Sequence, residues 1–225
     1  LLTGMFSQLI KICGLSGGFV WLANSFGIRG GLFVAFTFLA TCIVSTATGS
    51  SIGTMFIAFP IFYPAGLILG ANPMWMAGCI VSGAVFGDNL APISDTTIAS
   101  SSTQQFHDGR PADIGGVVSS RVQYSAVAGL ITIVFFAIVG GIGGTYQGGE
   151  IDAVSNPTTL VMLLPVVVML VVSTKTRNIY AGIGVGLSLG TVVGLAAGLF
   201  TFADVFANDA AKNAAVGFLI DGVNN

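Results

Sequence analysis

Two carboxylates, Asp88 and Asp95, stand in the segment Gly87-Asp88-Asn89-Leu90-Ala91-Pro92-Ile93-Ser94-Asp95-Thr96-Thr97, inside an otherwise apolar part of the chain. No Lys or Arg occurs between Arg29 and Arg110 to neutralise them. A carboxylate near the centre of a bilayer costs about 2.5–3.5 kcal/mol on the insertion scale, so a pair of them there needs a reason. The segment offers one: two carboxylates, the Asn89 amide and the hydroxyls of Ser94, Thr96 and Thr97 form the kind of oxygen set a hard cation takes. Pro92 has no N–H and its ring clashes with the carbonyl four residues back, that of Asp88, so a helix is expected to break there and release carbonyl oxygens. A broken helix with such groups at membrane depth is one way to build a cation-binding site. The other reading, an extramembrane loop with solvated aspartates, leaves residues 74–86 as an apolar stretch too short to span, and the intramembrane site is preferred.

A second stretch, Ser45-Thr46-Ala47-Thr48-Gly49-Ser50-Ser51-Ile52-Gly53-Thr54, interrupts the apolar pattern upstream. Read as a polar turn it joins two full spans. Read as the tip of a re-entrant hairpin it is non-helical backbone lining a polar cavity, with Thr46, Thr48, Gly49, Ser50, Ser51, Gly53 and Thr54 supplying hydroxyls and freed carbonyls. The stretch alone does not choose between the two. If both interruptions are intramembrane, each leaves backbone groups unpaired, and they are expected to lie together in one cavity.

The composition dictates what holds these groups. The chain is 54% hydrophobic and 7% charged, with mean hydropathy +0.93. A soluble domain carries about 25% charged residues, so too little charge is present to coat a water-facing globule. Apolar stretches near 31–48, 54–71, 73–101, 117–143, 158–174 and 178–201 each approach the roughly 20 residues of a bilayer span. Residues 4–26, interrupted by Lys11, Asn24 and Gly17-Gly18, fit an interfacial or bent helix as well as a span, and the sequence does not decide between them. The expected fold is therefore an all-α polytopic membrane bundle.

Lys175 and Arg177 lie in the short 173–178 connection, and His107, Asp108, Arg110 and Pro111 lie in another polar loop, whereas 144–157 carries Glu150 and Asp152 and no basic residue. Positive-inside bias puts 105–116 and 173–178 in the cytoplasm and 144–157 outside, with positions near 30 and 72 outside by counting back. Gly182, Gly186, Gly190, Gly194 and Gly198 recur every fourth position, a stripe that lets helices approach closely in lipid. Cys13, Cys42 and Cys79 are scattered through apolar runs, which fits neither a disulfide framework nor a zinc site. With 7 Lys and Arg there is no basic stripe for nucleic acid, and no nucleotide or other cofactor is expected. The chain opens on Leu1 and stops as an apolar stretch begins at 214–220, so it reads as a piece of a longer protein.

At this point a resemblance can be stated. GDNLAPISDTTIASSSTQ resembles the signature of the NhaC family of sodium/proton antiporters, a Gly-Asp-Lys/Asn, Ser-Pro, Ser-Asp-Thr-Thr pattern after an apolar helix, and STATGSSIGT resembles that family's upstream Thr-Gly-Thr/Ser-Ser-x-Gly-Thr segment. Only these two segments are specific; the later spans match mainly in hydropathy. The resemblance implies half of an inverted-repeat transporter, with residues 1–104 as the ion-binding region of the first repeat and 105–225 as connecting helices leading to a second. Asn89 stands where many members have Lys, and Ala91 where many have Ser. The first of these removes a positive charge from beside Asp88.

The expected activity is exchange of a monovalent cation, sodium first, for protons across a bacterial inner membrane. Coupled exchange of small organic acids or amino acids and a cation channel remain as alternatives. An enzyme is not expected, since one His, three scattered Cys and Ser/Thr clusters without a positioned base make neither a metal site nor a triad. The partners are the cation, protons and the bilayer, with a homodimer left open. Burial disfavours a charged carboxyl and a second carboxylate disfavours it further, so one of the pair is expected to hold a proton and release it when a cation arrives. Asp95, past the break and flanked by hydroxyls, is expected to favour the cation, and Asp88, beside helix-terminal carbonyls, the proton.

Overall fold

The protein is described by a computed structural model over residues 2–105, 107, 109–110, 112–145, 155–176 and 178–201. Asp108, Pro111, Glu150, Asp152, Arg177 and the 214–220 stretch lie outside the described residues. Every regular element is helical: α1 (Leu2–Ile12), α2 (Leu15–Ser25), α3 (Gly31–Thr48), α4 (Ser51–Ile68), α5 (Pro73–Leu90), α6 (Asp95–Ser102), α7 (Ile114–Val139), a 3₁₀ turn (Pro157–Met162) running into α8 (Leu163–Thr176), and α9 (Ile179–Ala196).

The starts of these helices follow from their capping residues. Asn72 accepts the Met74 N–H at 2.9 Å and is followed by Pro73 at the first helical position, Asp113 accepts from Gly116, and Asn178 accepts from Tyr180 and Ala181. Each cap satisfies orphan amides that lipid cannot. Among the described residues, α3, α4, α7 and Pro157–Thr176 are long and apolar enough to cross a membrane. Pro73–Leu90 with Asp95–Ser102 forms one pair bent by 41°, and Gly4–Ile12 with Leu15–Ser25 another bent by 56°. Residues 4–26 are thus a broken helix hinged at Gly14, whose φ of 66° suits glycine. The last expected span shortens to Tyr180–Ala196.

α3 and α5 run parallel and in close contact. A Cβ on Gly83 would lie 2.7 Å from the Phe38 carbonyl oxygen, and one on Gly87 would lie 2.2 Å from that of Cys42. α4, which joins them in sequence, runs antiparallel beside both. α7 runs antiparallel to both: a Cβ on Gly31 would meet the Ala137 carbonyl at 2.2 Å, and Phe38 packs on Phe136 with ring centroids 5.6 Å apart. At one end of the bundle Gly30 N–H donates to Leu69 O and Asn72 N–H to Gly140 O, so the connections near 30, 72 and 144 share that end. The hairpin turn at Gly49 and the end of α8 lie at the other.

The glycine stripe of α9 is a packing face, as its spacing implies. Gly182 and Gly186 sit against Ser173 and Met169 of α8, and Gly190 against Leu9 of α1. Gly198 departs from the stripe: α9 has already ended, and Gly198 turns the chain at φ 66° with nothing within 4 Å of a Cβ. Cys13 and Cys79 are buried between helices and Cys42 is half-buried, all three as free thiols. Tight backbone approach predicts a stability difference between glycines. Gly87→Val in the full-length protein should lower the melting temperature in detergent by at least about 5 °C through overpacking, whereas Gly184→Ala, in open space, should leave it unchanged or raise it.

Candidate functional site

Pro92 lacks an N–H, so the Asp88 carbonyl has no helical donor four residues on. It takes the Ala91 N–H instead, at 3.1 Å, and Ala91 adopts an extended conformation (φ −72°, ψ 124°), as the residue before proline must. That exchange leaves the Gly87 carbonyl without its own helical donor. The Thr46 hydroxyl from α3 supplies one at 3.1 Å, shared with Cys42 O of its own helix at 2.9 Å, and Ser45 Oγ donates to Ala84 O one turn earlier. A four-residue turn, Ala91 to Ser94, then leads into α6, which begins at Asp95.

The hairpin turn is built by the same means. Gly49, at φ 63°, closes α3 with its N–H on Ser45 O at 2.8 Å. Ser50 caps α4 by accepting the Gly53 N–H at 3.2 Å, and its carbonyl accepts the Thr54 hydroxyl at 2.8 Å. Thr54 and Thr48 hydroxyls lie 3.1 Å apart. Ser51 opens α4 and is half-buried. The two interruptions meet, because a Cβ on Gly49 would lie 2.7 Å from Ile93 Cγ1 and 3.2 Å from Ser94 N.

Where they meet is a cavity of about 250 Å³ lined by Thr48, Gly49, Ser50, Asp95 and, from α8, Ser173 and Thr174, with Ile93 and Ile98 as its apolar wall. Asp95 is exposed, and its carboxylate stands at the first residue of α6, where unpaired amides favour an anion. Asp88 is elsewhere. It lines a second cavity, of about 490 Å³, with Ser82, Val85, Phe86, Asn89 and Thr96. The two carboxylates, which the sequence offers as parts of one oxygen set, therefore line separate cavities: the turn between them is extended at Ala91 and Ser94, so helical phase is not kept from Asp88 to Asp95. Ser94 is buried and its hydroxyl lies 2.8 Å from that of Thr96 in the first turn of α6. Among the described residues, three buried side-chain oxygens have no partner: Asp88 Oδ1, Thr97 Oγ1 and Thr37 Oγ1. Two belong to the segment that the sequence singles out.

Three contributors escaped the sequence reading. Ser173 and Thr174 arrive from a helix about 80 residues downstream, and their only signal was a hydroxyl pair closing an apolar run. Arg121 of α7 donates from Nη2 to Ser100 Oγ at 2.8 Å and from Nη1 to Asn89 Oδ1 at 3.4 Å. The segment without Lys or Arg does have a cation beside it, brought by the antiparallel return of α7.

Described residues that are all-helical, with several apolar spans, two of them broken, and cavities carrying carboxylates at the Pro92 break, are the architecture of a multi-pass membrane transporter. A sequence model of the Na+/H+ antiporter family matches residues 6–140, and the chain belongs to that family. It is accordingly a multi-pass integral protein of the plasma membrane. It is similar to the malate-2H(+)/Na(+)-lactate antiporter of Bacillus subtilis, 34% identical over 61% of this chain and 28% of the relative. It is also similar to the Na(+)/H(+) antiporter NhaC of Alkalihalophilus pseudofirmus, 30% identical over 54% and 25%, and to the arginine/ornithine antiporter ArcD of Halobacterium salinarum, 30% identical over 48% and 21%. The matched regions cover about a quarter of these relatives' length. No solved structure matches the chain.

The hydrogen-bond relay at the break is testable apart from transport. Thr46→Val should leave the Gly87 carbonyl unpaired and cost about 1–3 kcal/mol, seen as a lower unfolding temperature of the detergent-solubilised full-length protein, whereas Thr46→Ser should restore most of it.

Proposed function

We propose that this chain forms the cation-binding part of a secondary antiporter that exchanges a monovalent cation, sodium in the first instance, for protons. The observation that carries the reading is the meeting of the Gly49 turn with the Ala91–Ser94 turn over a cavity walled by the Asp95 carboxylate and the hydroxyls of Thr48, Ser50, Ser173 and Thr174. Oxygen ligands from three separate helical elements suit a hard cation that must be both held and released. Family membership and the NhaC relative support the same cargo.

Asp95 takes the cation, stabilised as an anion by the start of α6. Asp88 carries the proton on the other side of the turn, with one oxygen buried and unpartnered. Asp95 and Thr96, neighbours in the first turn of α6, face the two cavities, so a shift of α6 on occupancy of one alters the other. Exchange follows if only loaded forms, proton or cation, interconvert between inward and outward states. Residues 1–104 act as the first repeat and 105–225 as helices leading towards a second. The malate/lactate and arginine/ornithine relatives favour one further reading, a coupled exchanger of small organic acids or amino acids on the same scaffold.

The test is flux in liposomes holding the full-length protein, across a panel of alkali cations with lactate, malate and arginine. Sodium flux tightly coupled to opposing proton flux supports the proposal; uncoupled ion flux makes the protein a channel, and exchange that requires an organic substrate establishes the second reading. Asp95→Asn should raise the KM for sodium at least about tenfold, because a charge-assisted contact is lost. Asp88→Asn should chiefly alter the dependence of exchange on pH; the reverse pattern would overturn the assignment of roles. Residues 1–225 reconstituted alone should not exchange.

A further inference from the structure

The guanidinium of Arg121 bridges the helix break. One nitrogen holds Asn89 near the end of α5 and another holds Ser100 in the last turns of α6, so a single planar group from α7 touches both arms of the bent pair. Asn89 lines the cavity of Asp88, the residue beside it, and one oxygen of Asp88 is buried with no hydrogen-bond partner. The residues immediately after Arg121 on α7 begin a run of exposed apolar side chains, from Val122 to Ile138, so the arginine stands where that helix leaves its apolar band and reaches inward from it.

We propose that Arg121 is a positioning residue of the antiport site that also supplies a fixed positive charge on the Asp88 side of the break, and that this charge keeps cation and proton binding weak enough for release. The inference rests on the antiport reading above. The physical step is simple: a fixed charge of +1 beside a carboxylate penalises any bound cation. A proton on Asp88 and a sodium ion at Asp95 carry the same charge, so it weakens both, each by an amount set by its distance from the guanidinium. The fork geometry does the positioning, since two N–H groups in one plane define the angle between the partners they hold.

The experiment is sodium/proton exchange by the full-length protein in liposomes, with KM and Vmax measured separately. Arg121→Gln should lower the KM for sodium by about three- to tenfold and lower Vmax by a similar factor, since tighter binding slows release. A purely structural role predicts lower Vmax with an unchanged or raised KM. The double variant Asn89→Lys/Arg121→Gln puts an ammonium where the guanidinium was received, and its KM should return to within about twofold of wild type. Unchanged KM and Vmax in Arg121→Gln, or a lowered KM that the double variant does not restore, would overturn the proposal. If Arg121→Gln alone does not accumulate, the double variant decides: exchange with near-wild-type KM upholds the charge role, and its absence refutes it. Wild-type protein that exchanges no cation for protons would sink the antiport reading itself, whereas wild-type exchange with indifferent Arg121 variants sinks only this inference.

Discussion

The missing N–H of Pro92 governs the chemistry of this half of the bundle. In lipid an unpaired carbonyl costs several kcal/mol, so a proline that deletes one donor obliges the surroundings to find others. The deletion passes along the chain: Asp88 O borrows the Ala91 N–H, and Gly87 O then accepts the Thr46 hydroxyl of a different helix. Thr46 thus serves a carbonyl that the break in α5 strips of its donor, whereas Ser45 adds a bond to Ala84 O inside the intact helix. The same turn carries Ser94 and Asp95 out of helical phase with Asp88 and separates the two carboxylates into two cavities.

Hydroxyls can reach those carbonyls only if α3 and α5 approach nearly backbone to backbone. Gly83 and Gly87 provide the approach, and Gly49 provides it again where the α3–α4 turn rests on Ile93 and Ser94. Lipid offers no hydrophobic drive for helix association, so close van der Waals contact and interhelical hydrogen bonds must hold such an interface together. Here they occupy the same few residues. A side chain added at any of these glycines would push away both the packing contact and the donor, which ties stability of the bundle to integrity of the site.

Legibility in the sequence divides along the range of the interaction. The helix break was readable because Pro92 acts on its own neighbours, the hairpin turn because glycine and hydroxyls cluster at 45–54, and the spans because apolar runs need no partner to be recognised. Their meeting was readable too, since two sets of unsatisfied backbone groups in one membrane should share a cavity. Ser173, Thr174 and Arg121 were not, because their place depends on how α7 and α8 fold back, and no spacing rule connects residue 89 to residue 121. The separation of Asp88 from Asp95 was lost for a related reason: a seven-residue spacing places two groups on one face only while the helix continues, and the conformations of Ala91 and Ser94 are set by the turn.

The depth of the two carboxylates can be gauged from α7, the most lipid-exposed of the long helices. Its exposed apolar side chains run from Val122 to Ile138, about 24 Å at 1.5 Å per residue, against a hydrocarbon core of about 30 Å. Gly129, near the middle of that run, faces the ring of Phe86, with 3.2 Å between a Cβ there and Cζ. Asp88 follows Phe86 by two residues and precedes Asn89, which Arg121 reaches from the edge of that run, so it lies between the middle of the band and its edge, while Asp95 lies beyond the break. A carboxylate inside the band is the one whose charge costs most to desolvate, whereas Asp95, exposed at the start of α6, stands open to water. The single turn that Pro92 imposes thus sets two carboxylates seven residues apart in different surroundings.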